Sequence, residues 1–302
     1  MISAEPKERE GASEQGRSDV SVAHIAPRPL VGRLSIREVT KIYDPDGQSV
    51  VALQNCSMEV EAGDFVAIVG PSGCGKSTLM NIIAGFDSLS DGEILLDGDP
   101  LATPTLDPRP GSDRVVVFQN GALFPWKNVI DNVSYGPVVQ GLMNRKDAQK
   151  KAMNLLEQCG GLDKVALSHP LQLSSGMQRR VEIVRALMND PKILLLDEPF
   201  RAMDTVSKTT MHGHLLRMFR ECRTTVIFIT HDLEEAIYLS DRVMVMTSRP
   251  GTIKKSLDVS LPRPRKAEML ASNTYVELKR QLSAIVHKEA KSAFDLGERE
   301  MA

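Results

Sequence analysis

A glycine-rich segment of the chain has the spelling and the surroundings of a phosphate-binding loop. Residues 70–78 read Gly-Pro-Ser-Gly-Cys-Gly-Lys-Ser-Thr, after an apolar run at 65–69 and before another at 79–84. A strand before the glycines and a helix after them are the context in which this pattern cradles phosphate. Glycine lets the backbone curl round an anion without Cβ clashes, and the N–H groups of the helix N-terminus add positive potential. We therefore predict a phosphate site here rather than an ordinary glycine-rich turn.

Two side chains of this loop would carry charge and metal chemistry. Lys76 is expected to reach the β- and γ-phosphates of a nucleotide, and Ser77 to hold a Mg²⁺ ion. Cys74 could act as a redox sensor, but we favour a small residue that fills the loop. The predicted nucleotide-contacting residues of the loop are Gly70, Pro71, Ser72, Gly73, Cys74, Gly75, Lys76, Ser77 and Thr78.

Two adjacent carboxylates, Asp197 and Glu198, follow the apolar run at 193–196. Ligands of parallel sheets bind at the carboxyl ends of strands, and successive residues there point in different directions. Asp197 can hold Mg²⁺ through its water shell, and Glu198 can accept a proton from water that attacks the γ-phosphate. Such a pair alone could be a surface turn, but the phosphate loop favours a catalytic site.

A second candidate anion site lies at residues 173–178, which read Leu-Ser-Ser-Gly-Met-Gln and open a predicted helix. Ser174 and Gly176 present a hydroxyl and a backbone N–H at that helix N-terminus. One such site and one phosphate loop per chain suggest two chains packed head to tail, each completing the nucleotide pocket of the other. Simple helix capping by Ser174 is the alternative.

The elements that must position these residues alternate between strands and helices. Short β-branched runs predict strands at 34–43, 50–60 and 65–69. After Gly176 the pattern predicts helices to about 188 and at 205–221 and 232–239, and strands at 193–196, 225–229 and 242–246. Continuous apolar strands that alternate with helices imply a parallel sheet covered on both faces.

Three further segments flank or interrupt this core. Residues 1–32 are polar and aperiodic, and we expect a disordered N-terminal tail. Residues 131–168 predict a helical insert with a helix over 144–158. Two prolines, Pro262 and Pro264, precede a C-terminal segment in which residues 275–291 read as an amphipathic helix.

Composition and charge exclude several classes of protein. The chain is 42% hydrophobic and 25% charged, as expected of a globular fold. Its net charge of −2 gives no bulk attraction to nucleic acid, so we predict no nucleic-acid partner. The apolar runs fall far short of the ~20 residues that span a bilayer, and the N-terminus lacks the apolar core of a secretory signal. We expect a cytoplasmic protein.

The four cysteines, Cys56, Cys74, Cys159 and Cys222, are widely separated. This leaves no close thiol pair for zinc or redox exchange and suits a reducing compartment. We expect all of them except Cys74 to be buried for structural reasons.

With these motifs in order, residues 33–260 resemble the ATP-binding subunit of ABC transporters. The resemblance places the adenine-stacking aromatic on Tyr43, the Q-loop glutamine on Gln119, the D-loop aspartate on Asp204 and the switch histidine on His231. It implies that Gln119 links the metal site to the membrane partner and that His231 contacts the γ-phosphate and orients the attack. Taken singly, Gln119 would be a polar loop residue and His231 a helix cap. The family signature falls on residues 173–177 and includes Ser174, Ser175 and Gly176.

One residue departs from the family pattern: the usual signature has Gly-Gly where this chain has Ser175-Gly176. If the first position needs a positive φ, a serine there would be strained. Gly176, whose N–H would meet phosphate, is retained, so we expect an active protein.

Three stretches within the family look like the nitrate, sulfonate and taurine importers. They are residues 110–114 before Gln119, residues 123–126 after it, and residues 235–251 near the end of the domain. Trp126, the only tryptophan, lies in the second stretch. It could be a core residue or a partly exposed part of a groove that receives a permease helix.

The resemblance implies an α/β P-loop ATPase domain at 33–260, with a parallel core sheet, an antiparallel N-terminal sheet and a helical subdomain at about 125–175. Residues 261–302 would form a C-terminal helical extension.

The implied function is ATP hydrolysis, with Mg²⁺, coupled to import of a small anion such as nitrate, sulfonate or taurine. Lys76, Gln119, Glu198 and His231 would be catalytic, and Ser77, Gln119 and Asp197 would hold the metal. The implied partners are a second copy of the chain, transmembrane permease subunits and, indirectly, an external solute-binding protein. The chain would then lie on the inner face of the cell membrane. The alternatives are a soluble ABC-type ATPase in a non-transport complex and a P-loop kinase, which leaves the Ser174 and Gly176 site unexplained.

Overall fold

Ten strands and seven α-helices lie in the part of the chain that the computed structural model describes, residues 30–44, 47–201, 203–222 and 224–295. The strands are β1 (Leu34–Tyr43), β2 (Val50–Val60), β3 (Phe65–Val69), β4 (Asp91–Leu96), β5 (Asp99–Ala102), β6 (Arg114–Val117), β7 (Ile193–Asp197), β8 (Thr225–Ile229), β9 (Arg242–Met246) and β10 (Ile253–Asp258). The α-helices are α1 (Lys76–Ala84), α2 (Val129–Val139), α3 (Arg145–Gln158), α4 (Ser175–Leu187), α5 (Thr205–Cys222), α6 (Leu233–Leu239) and α7 (Asn273–Asp295). Short 3-10 helices occur at Leu162–Val165, Pro170–Gln172 and Ala267–Ala271.

The main sheet has six strands in the order β10-β9-β3-β8-β7-β6. Strands β9, β3, β8, β7 and β6 are parallel, and β10 pairs antiparallel with β9 at one edge. Every residue of β3 and β8 is buried, which is why these strands are continuous apolar runs in the sequence. The predicted parallel sheet is confirmed. Strand β10 was not predicted, because this largely exposed edge strand contains polar residues at most positions.

Side chains of the main sheet alternate between two apolar cores. Phe65, Ala67 and Val69 of β3 belong to a core that includes residues of α2 to α7. Val66 and Ile68, between them, belong to a core that includes α1 and the other sheet. Because successive side chains of a strand point to opposite faces, the main sheet lies between these two cores and contributes side chains to each. The phosphate loop follows β3, at the centre of this arrangement.

The second sheet has four antiparallel strands in the order β2-β1-β4-β5. Leu34 of β1 lies opposite Val60 of β2 on one side and Leu96 of β4 on the other. The predicted strands over 34–43 and 50–60 are confirmed with those bounds. Strands β4 and β5 were missed because they are short and carry aspartate, glycine and proline, which weaken the strand pattern.

The predicted helical insert contains α2 and α3, which pack on each other. Asn128 and Asn144 cap these helices by accepting hydrogen bonds from the backbone N–H groups of Asp131 and Asp147. Helix α3 therefore begins one residue later than predicted. Helix α2 also packs on α4, so the insert lies beside the helix that the Ser174 segment opens.

The C-terminal helix α7 packs against α6 and is longer than the predicted 275–291. Residues 1–29 of the predicted tail and 296–302 of the predicted extension lie outside the described residues. Among the helices of the described ranges, none is both long and apolar enough to cross a membrane.

Three of the four cysteines, Cys56, Cys74 and Cys159, are buried, whereas Cys222 at the end of α5 is exposed. The prediction that Cys222 is buried is therefore wrong. Cys74 is as well buried as Cys56 and Cys159. Burial raises the pKa of the Cys56 thiol to about 11.

Candidate active site

The phosphate loop connects β3 to α1, which begins at Lys76. Gly75 is the N-cap of α1, with φ of 96°, and no side chain caps the helix. A Cβ atom on Gly75 would lie 2.7 Å from Leu53 Cδ2 and 2.9 Å from the Ala52 carbonyl oxygen. Only glycine fits both the φ angle and the space. The N–H groups at the start of α1 are thus available to an anion, and the first turn contains no acidic residue to compete for them.

The Lys76 ammonium lies inside the loop. Its Nζ donates hydrogen bonds to the carbonyl oxygens of Gly70, at 2.9 Å, and Pro71, at 2.8 Å. Cys74 Sγ is 3.6 Å from the same Nζ. Burial raises the pKa of the Cys74 thiol, although the Lys76 charge opposes the shift. A buried thiol that stays protonated favours loop filling over redox sensing.

Asp197 is the last residue of β7, and Glu198 follows it. Glu198 has a φ of 42°, and its N–H donates to the Ile229 carbonyl oxygen at 2.9 Å. A left-handed conformation at a non-glycine residue stores strain and is typical of functional sites. The pKa of Asp197 is raised by burial and by the adjacent Glu198, and Lys76 opposes this shift. A cation beside Asp197 would stabilise its ionised form.

Glu198 Oε2 lies within reach of two nitrogen groups. His231 Nδ1 is 3.3 Å from it and Arg201 Nη1 is 3.4 Å from it. Arg201 presents only donors to the Gln119 amide, so the amide is assigned the orientation in which Oε1 faces the guanidinium; Oε1 then lies 2.8 Å from Arg201 Nη1 and 3.2 Å from Nε. One guanidinium therefore joins the predicted Q-loop glutamine to the predicted base.

Tyr43 lies at the end of β1, as predicted, with 36% of its surface exposed. Its hydroxyl donates to the Asp87 carboxylate, and Lys41 Nζ lies 4.8 Å from the ring centroid. Burial and the hydrogen bond to Asp87 raise the pKa of the phenol. These contacts fix the ring while leaving part of it open to a ligand.

One cavity of about 560 Å³ brings most of the predicted site residues together. The predicted residues that line it are Tyr43, Gly70, Ser72, Gly73, Cys74, Gly75, Lys76, Ser77, Thr78, Gln119, Asp197, Glu198 and His231. The predicted residues outside its lining are Pro71, Ser174, Ser175, Gly176 and Asp204.

Four lining residues were missed by sequence reasoning: Val50, Ala52, Arg201 and Arg249. Arg249 follows β9, and its Nε donates to the Gly73 carbonyl oxygen at 3.1 Å. The available signal was the position of both arginines in loops after strands of the parallel sheet, where ligands bind. Their partners, Gly73 for Arg249 and Gln119 for Arg201, lie far away in the sequence, so no local pattern indicates these contacts.

The signature segment opens α4. Ser174 is its N-cap, and Ser174 Oγ accepts a hydrogen bond from the Met177 N–H at 3.3 Å. Helix capping by Ser174 is thus present. Ser175 is the first helical residue and does not have a positive φ, so the condition under which a serine would be strained here is not met. Both serines are exposed, and a Cβ on Gly176 would meet no atom within 4 Å.

Asp204 and His231 both precede helices. The exposed Asp204 accepts from the Ser207 N–H at 3.0 Å, and hydrogen bonds from Ser207 lower the pKa of its carboxyl. Asp232, rather than His231, caps α6 by accepting from the N–H groups of Glu234 and Glu235. The alternative reading of His231 as a helix cap is wrong, and its side chain remains 61% exposed at the cavity.

An aromatic groove of about 600 Å³ lies beside the segment that follows Gln119. Phe124 and Tyr135 line it, with their ring centroids 4.9 Å apart. Trp126 packs against Phe124 at 5.5 Å yet is 72% exposed, so it is not a core residue. An indole this exposed is typical of a binding surface.

Comparisons with known proteins identify relatives of this chain. A family model described as ABC transporter matches residues 53–201. Aliphatic sulfonates import ATP-binding protein SsuB of Bacillus cereus is 39% identical, with 82% of this chain and 94% of that protein covered. Taurine import ATP-binding protein TauB of Rhizobium johnstonii is 43% identical, with 80% and 91% covered. Nitrate import ATP-binding protein NrtD of Synechocystis sp. is 42% identical, with 76% and 83% covered.

A solved structure has the same fold. It is a dimeric ATP-binding cassette in a post-hydrolysis state with ADP and Pi, 31% identical, with a TM-score of 0.64. The alignment covers 76% of this chain and all of that one. The sulfonate, taurine and nitrate relatives are 39–43% identical to this chain, and 83–94% of their length is covered. The chain belongs to the ABC transporter family, as one of its ATP-binding subunits.

Proposed function

We propose that this chain hydrolyses ATP to power uptake of a small anion through a membrane permease. One observation carries the proposal: Glu198 lies 3.3 Å from His231 in the same cavity as Lys76 and the phosphate loop. A carboxylate base, a histidine that can orient the reaction and a phosphate-binding cation are the groups that phosphoryl transfer to water needs.

The chain's own residues bind the nucleotide in this proposal. The N–H groups at the start of α1 hold the phosphates, and Lys76 exchanges the carbonyls of Gly70 and Pro71 for the β- and γ-phosphate oxygens. Tyr43 stacks on adenine with the part of its ring that Lys41 leaves open.

The Ser77 hydroxyl, the Gln119 amide oxygen and the Asp197 carboxylate are hard oxygen donors that fit Mg²⁺. When bound, Mg²⁺ supplies charge neutralisation at the phosphate oxygens. Glu198 then accepts the proton of the attacking water, and His231 orients the γ-phosphate. In this proposal the two adjacent carboxylates serve different roles, with Asp197 at the metal and Glu198, whose φ is 42°, as the base.

A second copy of the chain completes the site. Ser174, Ser175, Gly176 and Asp204 lie outside the cavity lining, and the serines and Asp204 are exposed. In a head-to-tail dimer, the N-terminus of α4 would bind the γ-phosphate held by the partner. The dimeric arrangement of the similar cassette supports this assembly.

The permease is proposed to dock at the aromatic groove lined by Phe124 and Tyr135 and at the exposed Trp126 that packs against Phe124. Similarity to sulfonate, taurine and nitrate import proteins favours a small anion as the solute. A solute-binding protein on the other side of the membrane would deliver it. The chain would then lie at the cytoplasmic face, held there by the permease.

The test is Glu198→Gln, which keeps the size of the side chain but removes the base. We expect steady-state ATP turnover to fall by roughly 10² to 10⁴, with ATP binding retained and an ATP-bound dimer accumulating in sedimentation.

Glu234→Gln is the matched control, because Glu234 is exposed on α6 and pairs with Lys279 away from the cavity. It should hydrolyse ATP at the parental rate. Parental turnover in Glu198→Gln would contradict the assigned base. Co-purification with a membrane permease distinguishes the importer from a soluble ATPase of a non-transport complex.

A further inference from the structure

Arg201 makes contacts that the roles above do not use. It lies in the turn after β7, where its N–H donates to the Glu198 carbonyl oxygen at 3.1 Å. This turn directs the guanidinium back across the cavity lining, to Gln119 on one side and Glu198 on the other. Arg201 is thus the cation that contacts both the predicted metal ligand and the predicted base.

Two arginines hold Gln119 by different parts of the residue. Arg179 of α4 is buried and donates to the main-chain oxygens of Phe118, at 2.7 Å, and Gln119, at 2.6 Å. Arg201 instead holds the side-chain oxygen and is 59% exposed. The backbone of Gln119 is therefore anchored, whereas its amide is held by a contact that solvent and ligands can reach.

The contact of Arg201 with Gln119 excludes a metal ion from the same oxygen. An amide oxygen has two acceptor positions, and Arg201 Nη1 and Nε donate to Oε1 at 2.8 Å and 3.2 Å. A divalent cation on Oε1 would also face the like charge of the guanidinium. The Glu198 contact, at 3.4 Å, is longer than a typical charge-assisted hydrogen bond and gives way more easily.

We propose that Arg201 is a positioning residue that competes with Mg²⁺ for the Gln119 amide oxygen and ties that amide to Glu198 until the metal–nucleotide complex displaces it. The contact of Arg201 with Gln119 and Glu198 is therefore autoinhibitory. This role of Arg201 rests on the proposed function. Displacement frees Gln119 for the metal and Glu198 for the water in one step, because a single guanidinium holds both.

The test measures the Mg²⁺ concentration that half-saturates a complex of the full chain with a non-hydrolysable ATP analogue, by calorimetry. Arg201→Ser should lower this concentration roughly two- to fivefold, the range for loss of one exposed charged contact. Arg201→Lys should shift it in the same direction, because a lysine keeps the charge but has one nitrogen where the guanidinium brings two near Oε1.

Arg249→Ser is the matched control. It removes the same unit charge from the same cavity, but Arg249 contacts the Gly73 carbonyl rather than Gln119. We expect a smaller shift for this variant. Equal shifts for Arg201→Ser and Arg249→Ser would show a general effect of lost positive charge and overturn the proposal. An Arg201→Lys chain with the parental half-saturating Mg²⁺ concentration would also overturn it.

The outcomes separate this proposal from the function beneath it. A parent chain that binds the analogue, with a Mg²⁺ dependence that Arg201→Ser leaves unchanged, overturns the role of Arg201 alone. Weaker Mg²⁺ binding in Arg201→Ser also overturns it, since Arg201 would then assist the metal. A parent chain that binds no analogue contradicts the proposed function, and the role of Arg201 with it. All variants should share the parental thermal midpoint, because both arginines are exposed.

Discussion

At the scale of single residues, the cavity uses contacts that preorganise side chains before any nucleotide arrives. Lys76 is satisfied by two loop carbonyls, Glu198 is held by its strained backbone, and Tyr43 is fixed by the Asp87 carboxylate. Buried or partly buried polar groups need such partners, because desolvation without a hydrogen bond is costly. The Tyr43 hydroxyl thus has its hydrogen-bond partner in Asp87, and the exposed part of the Tyr43 ring remains available to a ligand.

We predict that Tyr43→Ala weakens ATP binding about tenfold or more, since base stacking on an aromatic side chain contributes on the order of 1–3 kcal/mol. Tyr43→Phe is the control that keeps the ring and removes the hydrogen bond to Asp87. It should bind ATP nearly as tightly as the parent in equilibrium titration. Equal losses in both variants would mean that the hydroxyl, rather than stacking, carries the affinity.

At the scale of elements, α5 links the Asp204 segment to the His231 segment. Lys208 Nζ of α5 lies 3.2 Å from Asp232 Oδ2 and 3.0 Å from Glu235 Oε1 at the start of α6. Burial would raise the pKa of Glu235, but the nearby His212 side chain, the hydrogen bond from the Thr230 hydroxyl and the Lys208 ammonium outweigh burial and lower the pKa. The first turns of α5 and α6 therefore share one charged cluster.

Helix α5 also makes the fold sensitive to acid. Burial, Arg180 of α4 and Arg217 lower the pKa of His214 from 6.5 to about 4. Between these values the unfolded chain binds a proton that the folded chain does not, so the free energy of unfolding should fall as pH drops from 6.5 toward 4. Above pH 6.5 the contribution is fully present.

His214→Gln should remove this part of the acid dependence, measured as denaturant unfolding free energies at several pH values between 7 and 4. The exposed His287 of α7 provides the control, and His287→Gln should keep the parental slope. An unchanged slope in His214→Gln would show that other groups cause the acid sensitivity.

At the scale of the whole molecule, each chain has the cavity lined by residues of the loop at 70–78 and a separate signature segment whose two serines are exposed. The cavity and the signature segment are connected through α4. This helix begins at the signature, and Arg179 within it donates a hydrogen bond to the Gln119 carbonyl oxygen. A partner that contacts the N-terminus of α4 could thus influence the cavity of the same chain through a rigid helix. The proposed dimer places two such helices against two nucleotides.

We predict that Ser174→Arg blocks dimer closure, through bulk and misplaced charge, while ATP still binds to the intact phosphate loop. Lys76→Ala should damage that loop and leave the signature intact. Each variant alone should be nearly inactive.

A mixture of the two variants should recover measurable ATPase activity. In a heterodimer, one nucleotide pocket contains both substitutions, Ser174→Arg and Lys76→Ala, and the other pocket contains neither. Recovery of activity requires that one intact pocket can hydrolyse ATP alone. Lack of recovery, together with a Glu198→Gln chain that stays monomeric with ATP and Mg²⁺, would favour a single-chain enzyme. The parent chain and each variant alone are the controls.

Sequence alone determined the features that depend on local spacing. The strands at 34–43, 50–60, 65–69, 225–229 and 242–246 were predicted with their final bounds, because β-branched and apolar residues are concentrated in these short segments. The phosphate loop and the Asp197–Glu198 pair were recognisable because their chemistry needs particular residue types in sequence. Tertiary structure alone decided the contacts between distant segments: Arg201 on Gln119, Arg249 on Gly73 and the open indole of Trp126. These contacts depend on which strands become neighbours in the sheet, and the pairing of β3 with β8 and β9, far along the chain, leaves no local pattern in the sequence.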